Sequence, residues 1–123
     1  MRNRVTISDA VACHDFTLAF GQFLDDFRNA SETVKYELIE DEPKCDSVDK
    51  VILCHAAAAV HKLTNDSGLD TPGWVYNPVY IMPKPYFAHN VQNVEFKKYL
   101  FETSPPEYAT RNIFFGGNVL LRV

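Results

Sequence analysis

The sequence predicts an all-α or nearly all-α fold, with about five helices in one domain spanning residues 1–123 and a long ordered segment rich in proline and aromatics between them. Three observations carry this. Apolar residues recur at helical spacing through the first half of the chain, residues suited to capping stand just before those stretches, and prolines or glycines stand just after them. A chain of 123 residues, 46% of them hydrophobic, is long enough to bury one core and too short for two domains of ordinary size.

The first helix is expected over residues 9–29. Phe16, Ala19, Phe20, Phe23, Leu24 and Phe27 repeat at i, i+3, i+4 and i+7 and form one apolar face, while Asp15, Gln22, Asp25, Asp26 and Arg28 fall largely on the other. Ser8 or Asp9 is suited to cap its start. A second, shorter helix begins at Ser31 as N-cap, with Glu32 at the positive end of the helix dipole; Val34, Leu38 and Ile39 form its stripe and Pro43 stops it. The third is expected over residues 47–65, with Asp46 and Asp49 at capping-box spacing. Val48, Val51, Ile52, Ala59 and Leu63 make its main face. Cys54, Ala57, Ala58 and His61 lie opposite, and the small residues among them let another backbone approach, so this helix reads as central and covered on more than one side. Gly68 lies just past its end.

Between residues 64 and 92 the periodicity stops, and Pro72, Pro78, Pro83 and Pro85 punctuate a run of aromatics. A floppy linker would leave Trp74, Val75, Tyr76, Val79, Tyr80, Ile81, Met82, Tyr86 and Phe87 in water, so an ordered segment wrapped over the helices is expected. A fourth helix follows over residues 93–103. Ser104-Pro105-Pro106-Glu107 then restarts a helix, with Ser at the N-cap, Pro at the first helical position and Glu three residues after the cap, running to about Asn112. Residues 113–121, around Gly116-Gly117, read as a short hairpin or as a loop in which Asn118 caps a last turn.

Net charge is −4 and the twelve basic residues are scattered, which gives no basic footprint for nucleic acid. Four acids between positions 37 and 42 read as a solvated helix end. The three cysteines, odd in number and sparse, argue against a disulfide framework. No apolar run of signal or membrane-span length follows the basic start. The expectation is a cytoplasmic protein that does not bind membranes or nucleic acid.

No motif specifies a reaction. Cys54 and His61 are seven positions apart, about 10.5 Å along a helix axis, so the two alone do not chelate one ion, and no metal or cofactor is expected. A Cys-His nucleophilic pair would need a histidine delivered by the fold and an electropositive setting that this acidic chain does not display. Gly116-Gly117 lacks the companions of a phosphate loop. The aromatic segment is the most distinctive feature, read either as cover for the core or as a partner surface. Burying a Trp is worth several kcal/mol at ~25 cal/mol per Å² and ~150–250 Å² of area, so the segment should turn back over the third helix. Trp74 should then be largely buried with Tyr86 or Phe87 nearby and His61 at its edge. The expected pocket is bounded by His61, Trp74, Phe87 and Arg111, with Glu42 as counter-charge.

The order of motifs resembles an uncharacterised bacterial family of small helical proteins. It is carried by Ile39-Glu40-Asp41-Glu42-Pro43, the Ala-rich helix ending Val60-His61-Lys62-Leu63, Gly73-Trp74-Val75, Pro85-Tyr86-Phe87, Ser104-Pro105-Pro106 and Arg111-Asn112-Ile113-Phe114. Tyr86 stands where that family often has Trp. The resemblance covers most of the chain from about Phe16 onward and singles out Glu42, His61, Trp74, Pro85, Phe87, Arg111 and Asn112. It implies a protein partner of the kind encoded in toxin–antitoxin-type operons. The competing functional reading, from a different class, is a small hydrolase or transferase with His61 as general base and Arg111 placing an anion.

Overall fold

The computed structural model describes residues 4–44, 48–88, 92–117, 119 and 120. The fold is mainly helical, as the spacing predicts. Its helices are α1 (Ile7–Ala12), α2 (Phe16–Arg28), α3 (Glu32–Ile39), α4 (Lys50–Ser67), α5 (Val94–Thr103) and α6 (Pro106–Ala109). Two 3₁₀ turns, Gly73–Tyr76 and Pro78–Tyr80, lie between α4 and the short strand β1 (Tyr86–Phe87), which pairs with β2 (Ile113–Phe114).

The expected first helix is two helices. Thr6, not Ser8 or Asp9, caps α1: its hydroxyl accepts the Asp9 N–H at 3.0 Å while the Asp9 carboxylate accepts the Thr6 N–H at 3.3 Å. The chain turns extended at Cys13, and the Asp15 carboxylate caps α2 through the Leu18 N–H at 3.2 Å. A short polar side chain that can bond nearby backbone competes with the helix ladder, which is why the break falls here. The turn lets Ile7, Ala10 and Val11 fold into the same core as Phe20, Phe23, Leu24 and Phe27.

Ser31 caps α3 as expected, through the Val34 N–H at 3.4 Å, and the helix ends ahead of Pro43. The central helix α4 starts later than expected, with Asp49 as its cap at 3.2 Å from the Val51 N–H, and ends at left-handed Gly68 (φ 69°). Asp46, the other half of the expected capping pair, lies outside the described residues. Leu53, Cys54, the run Ala56, Ala57, Ala58, Ala59 and Val60, then Leu63 and Thr64 are all buried. Five consecutive buried positions circle the whole helix, so α4 is covered on every side there. Alanine suits such a position because neighbours can close in on the backbone.

The described part of the Pro-rich segment, residues 72–88, alternates between core and surface. Val75 and Tyr80 are fully buried, while Tyr76, Val79 and Ile81 face outward. After α5 the Ser104 hydroxyl does not cap the next helix. It donates to the Leu100 carbonyl at 2.6 Å and accepts the Gly116 N–H at 3.0 Å, so it closes α5; Pro105 takes the cap position of α6, which ends at Ala109 and not near Asn112. Asn112 then enters the left-handed region at φ 63°, which ends helical geometry.

Among the described residues β2 is not paired in a C-terminal hairpin. Its partner is β1 from the aromatic segment, in parallel register, Tyr86 opposite Ile113 and Phe87 opposite Phe114. Asn112 sets this pairing: its side-chain amide donates to the Met82 carbonyl at 2.8 Å and its carbonyl accepts the Tyr86 N–H at 2.8 Å. The Met82 N–H donates to the Arg111 carbonyl at 3.0 Å. Asn118, the alternative cap, lies outside the described residues.

Candidate functional site

His61 and Arg111, fifty residues apart, meet beside the first 3₁₀ turn. His61 leaves α4 near its C-terminal end, and Arg111 follows α6 on a turn closed by its own N–H to the Tyr108 carbonyl at 3.0 Å. The Arg111 side chain is 5% exposed. One terminal nitrogen, Nη1, donates to the Glu107 carbonyl at 2.8 Å and lies 3.1 Å from His61 Nδ1; the other, Nη2, donates to the Val75 carbonyl at 2.8 Å. One guanidinium thus ties α4, α6 and the Pro-rich segment together.

The contact assigns the histidine tautomer. Guanidinium has donors only, so His61 Nδ1 must present its lone pair, and in the neutral ring the proton sits on Nε2. Burial lowers the imidazole's affinity for a second proton, the Arg111 charge lowers it further, and the Glu107 carboxylate opposes both. Burial likewise lowers the Arg111 pKa, but a guanidinium stays charged in proteins. The Glu107 carboxylate that acts on this pair is itself held by the Asn65 amide at 2.9 Å.

A cleft of about 160 Å³ opens here, lined by His61, Val75, Tyr76, Asn77, Ile81, Thr110 and Arg111. The Tyr76 ring stands edge-on to His61, centroids 5.4 Å apart at 75°. The cleft therefore contains two of the expected site residues, His61 and Arg111, and not Trp74, Phe87 or Glu42.

Trp74 is half-buried instead of enclosed. Its indole N–H donates to the Ile39 carbonyl at 3.0 Å, which anchors the segment to the end of α3, and its ring packs edge-on to Tyr80 at 5.5 Å. An indole needs a partner for its N–H, and that requirement holds the ring at the margin of the core. Glu42 is not a counter-charge to Arg111: it accepts the Tyr80 hydroxyl at 2.6 Å. Tyr86 and Phe87 pack against Phe115 and Phe114, at 6.1 and 5.2 Å, and not against Trp74; Lys97 lies over the Phe87 ring at 5.5 Å. The expected residues thus fall into three places: the His61–Arg111 cleft, the Glu42–Tyr80–Trp74 anchor, and the strand pair set by Asn112.

Sequence reasoning missed His55. Its ring sits among Phe16, Phe20, Tyr108 and Phe115, centroids 4.7–5.6 Å away, all edge-on. Burial lowers its pKa to about 4, so it is neutral. Among the described residues, His55 Nε2 and the Tyr108 hydroxyl are buried polar atoms without a hydrogen-bond partner. Tyr108 is pushed well above the usual phenol range, chiefly by burial. The available signal was the Phe16–Phe20 face, but its pairing with position 55 is a tertiary fact.

Among the described residues no three His, Cys, Asp or Glu side chains gather where a metal ion could be held. No helix among them is long and apolar enough to cross a membrane. No protein family, curated protein or solved structure matches this chain.

Proposed function

We propose that this chain is a non-catalytic protein-binding domain whose docking face is the outer side of the Pro-rich segment. The observation that supports it is the alternation in that segment. Val75 at 1% and Tyr80 at 0% exposure are locked in the core, while Tyr76 at 61%, Val79 at 39% and Ile81 at 42% stand outward between them. Apolar side chains presented on a backbone already fixed by its neighbours lose little freedom on binding, and Tyr is a favoured anchor of interfaces. The occupant is a partner protein presenting an apolar segment, encoded beside this chain in a toxin–antitoxin-like or defence-type operon as the family resemblance implies. The sparse, odd cysteine set suits a reducing cytoplasm.

The hydrolase or transferase reading is disfavoured by the His61 tautomer. A general base needs a free lone pair, and the His61 lone pair on Nδ1 is engaged by Arg111, which leaves Nε2 as an N–H donor.

The test starts with photo-cross-linking from positions 76 and 81 in the native host, with the more exposed position 18 on α2 as a control. The identified partner is then titrated with purified wild type, Tyr76→Asp, Ile81→Asp and His61→Ala. Affinity should fall more than tenfold for the first two variants. Unchanged affinity in both, or loss of the partner's activity in His61→Ala with binding intact, would overturn the reading.

A further inference from the structure

The cleft beside Arg111 is rich in donors. Arg111 uses three of its five N–H groups on His61, Glu107 and Val75, which leaves two without an acceptor among the described residues. His61 contributes Nε2–H, because its Nδ1 accepts from Arg111. The Asn77 side-chain oxygen accepts the Val79 N–H at 3.0 Å, so the amide NH₂ is the half left to donate. Thr110 adds no donor, because its hydroxyl proton goes to the Pro106 carbonyl at 2.9 Å.

The buried charge points the same way. Charges removed from water are ordinarily paired. Among the described residues the direct partners of Arg111 are two carbonyls and a neutral ring, and the one carboxylate acting on it, that of Glu107, is bonded to Asn65. A single guanidinium matches a single negative charge. Arg111 is the one Lys or Arg in the cleft lining, and Lys62, the residue after His61, is paired with Asp66 at 2.9 Å. At about 160 Å³ the cleft falls below the ~300–1,000 Å³ of sites for whole small molecules and suits the end of one side chain. Its rim, Tyr76 and Ile81, is exposed and apolar.

We propose that this cleft is a carboxylate-binding site that reads one Asp or Glu side chain of the partner, the acid seated between Arg111, His61 and Asn77 with its apolar neighbours on Tyr76 and Ile81. This rests on the docking reading above and names the chemistry of the partner.

The probe is N-acetyl-glutamate amide, titrated into the ¹⁵N-labelled full chain against N-acetyl-glutamine amide and inorganic phosphate at matched ionic strength. The Arg111 Nε–H and His61 ring resonances are followed. The glutamate derivative should give saturable shifts with a dissociation constant on the order of millimolar, as expected for one small group. The glutamine derivative should give none. Asn77→Asp keeps the oxygen that caps Val79 and replaces the donor by a negative charge, so it should weaken binding at least tenfold without unfolding the chain. Equal shifts from the glutamine derivative, tighter binding of phosphate, or unchanged affinity in Asn77→Asp would overturn the assignment. The two readings separate cleanly. If the acid binds but Tyr76→Asp leaves partner affinity intact, the docking face fails and the anion site stands. If Tyr76→Asp matters but no acid binds, only the carboxylate assignment fails.

Discussion

Replacing His55 by Phe should remove a measurable share of the acid sensitivity of this fold between pH 7 and pH 5. The ring lies in a box of four aromatic side chains, and burial lowers its pKa from about 6.5 to about 4. Because the folded-state value is depressed, the unfolded chain takes up the proton first. The stabilisation from keeping His55 neutral is complete above about pH 6.5, is lost as pH falls from there toward 4, and changes no further below that. The full span corresponds to about 3 kcal/mol, and the part between pH 7 and pH 5 to about 2 kcal/mol, an upper bound since the ring keeps an accessible edge. Against a typical domain stability of ~5–15 kcal/mol this is measurable, and it lowers Tm by roughly 5–10 °C. His55→Phe deletes both the titrating group and the unpartnered Nε2, so at pH 7 the variant should match or exceed wild type by ~1–2 kcal/mol. Urea unfolding followed by circular dichroism at pH 7 and pH 5 reads both quantities. His61 titrates alike in the two proteins, so their difference isolates His55. Parallel pH dependence in wild type and His55→Phe would refute the reasoning.

Three further outcomes follow from the fold. Thr6→Ala removes a capping box and should cost about 1 kcal/mol in denaturant unfolding, whereas a helix running unbroken through residues 13–15 would be indifferent to it. Ala58→Leu places three extra carbons at a fully buried position of α4 and should destabilise by ~1–3 kcal/mol or prevent folding; wild-type stability would show that α4 is not enclosed there. Asn112→Ala should cost more than Asn112→Gly, about 2 against about 1 kcal/mol, because both lose the bond to the Met82 carbonyl but only alanine is strained at φ 63°; the reverse order in equilibrium unfolding would contradict this.

What was legible in the sequence was local. The Phe16 to Phe27 face, the Ser31 cap and the small residues of α4 each depend on neighbours within a few positions, and the structure keeps all three. The break at residues 13–15 was harder, since Asp15 fits a helix surface as well as an N-cap, and the decisive Thr6–Asp9 pair lies upstream of the apolar repeat. Ile113-Phe114 reads as a strand, but an apolar dipeptide does not name its partner, and that partner is set by Asn112 reaching Met82 thirty residues back. At the site, His61 and Arg111 were legible as chemistry and their meeting was not, because it depends on where α6 ends. The arrangement around Trp74 failed for a related reason: the area argument brings the segment back over α4 but does not say which ring stacks on which, and the indole N–H took the Ile39 carbonyl. Arg111-Asn112-Ile113-Phe114 acts as one device, with a staple, a left-handed turn and a strand in four consecutive residues.

The affinity of the cross-linked partner for wild type against Tyr76→Asp, measured by titration calorimetry on folded, monodisperse protein, bears most directly on the proposed docking face. A loss of more than tenfold is expected, with His61→Ala retaining the partner's activity in proportion to the complex formed. Equal affinities for wild type and Tyr76→Asp would contradict it.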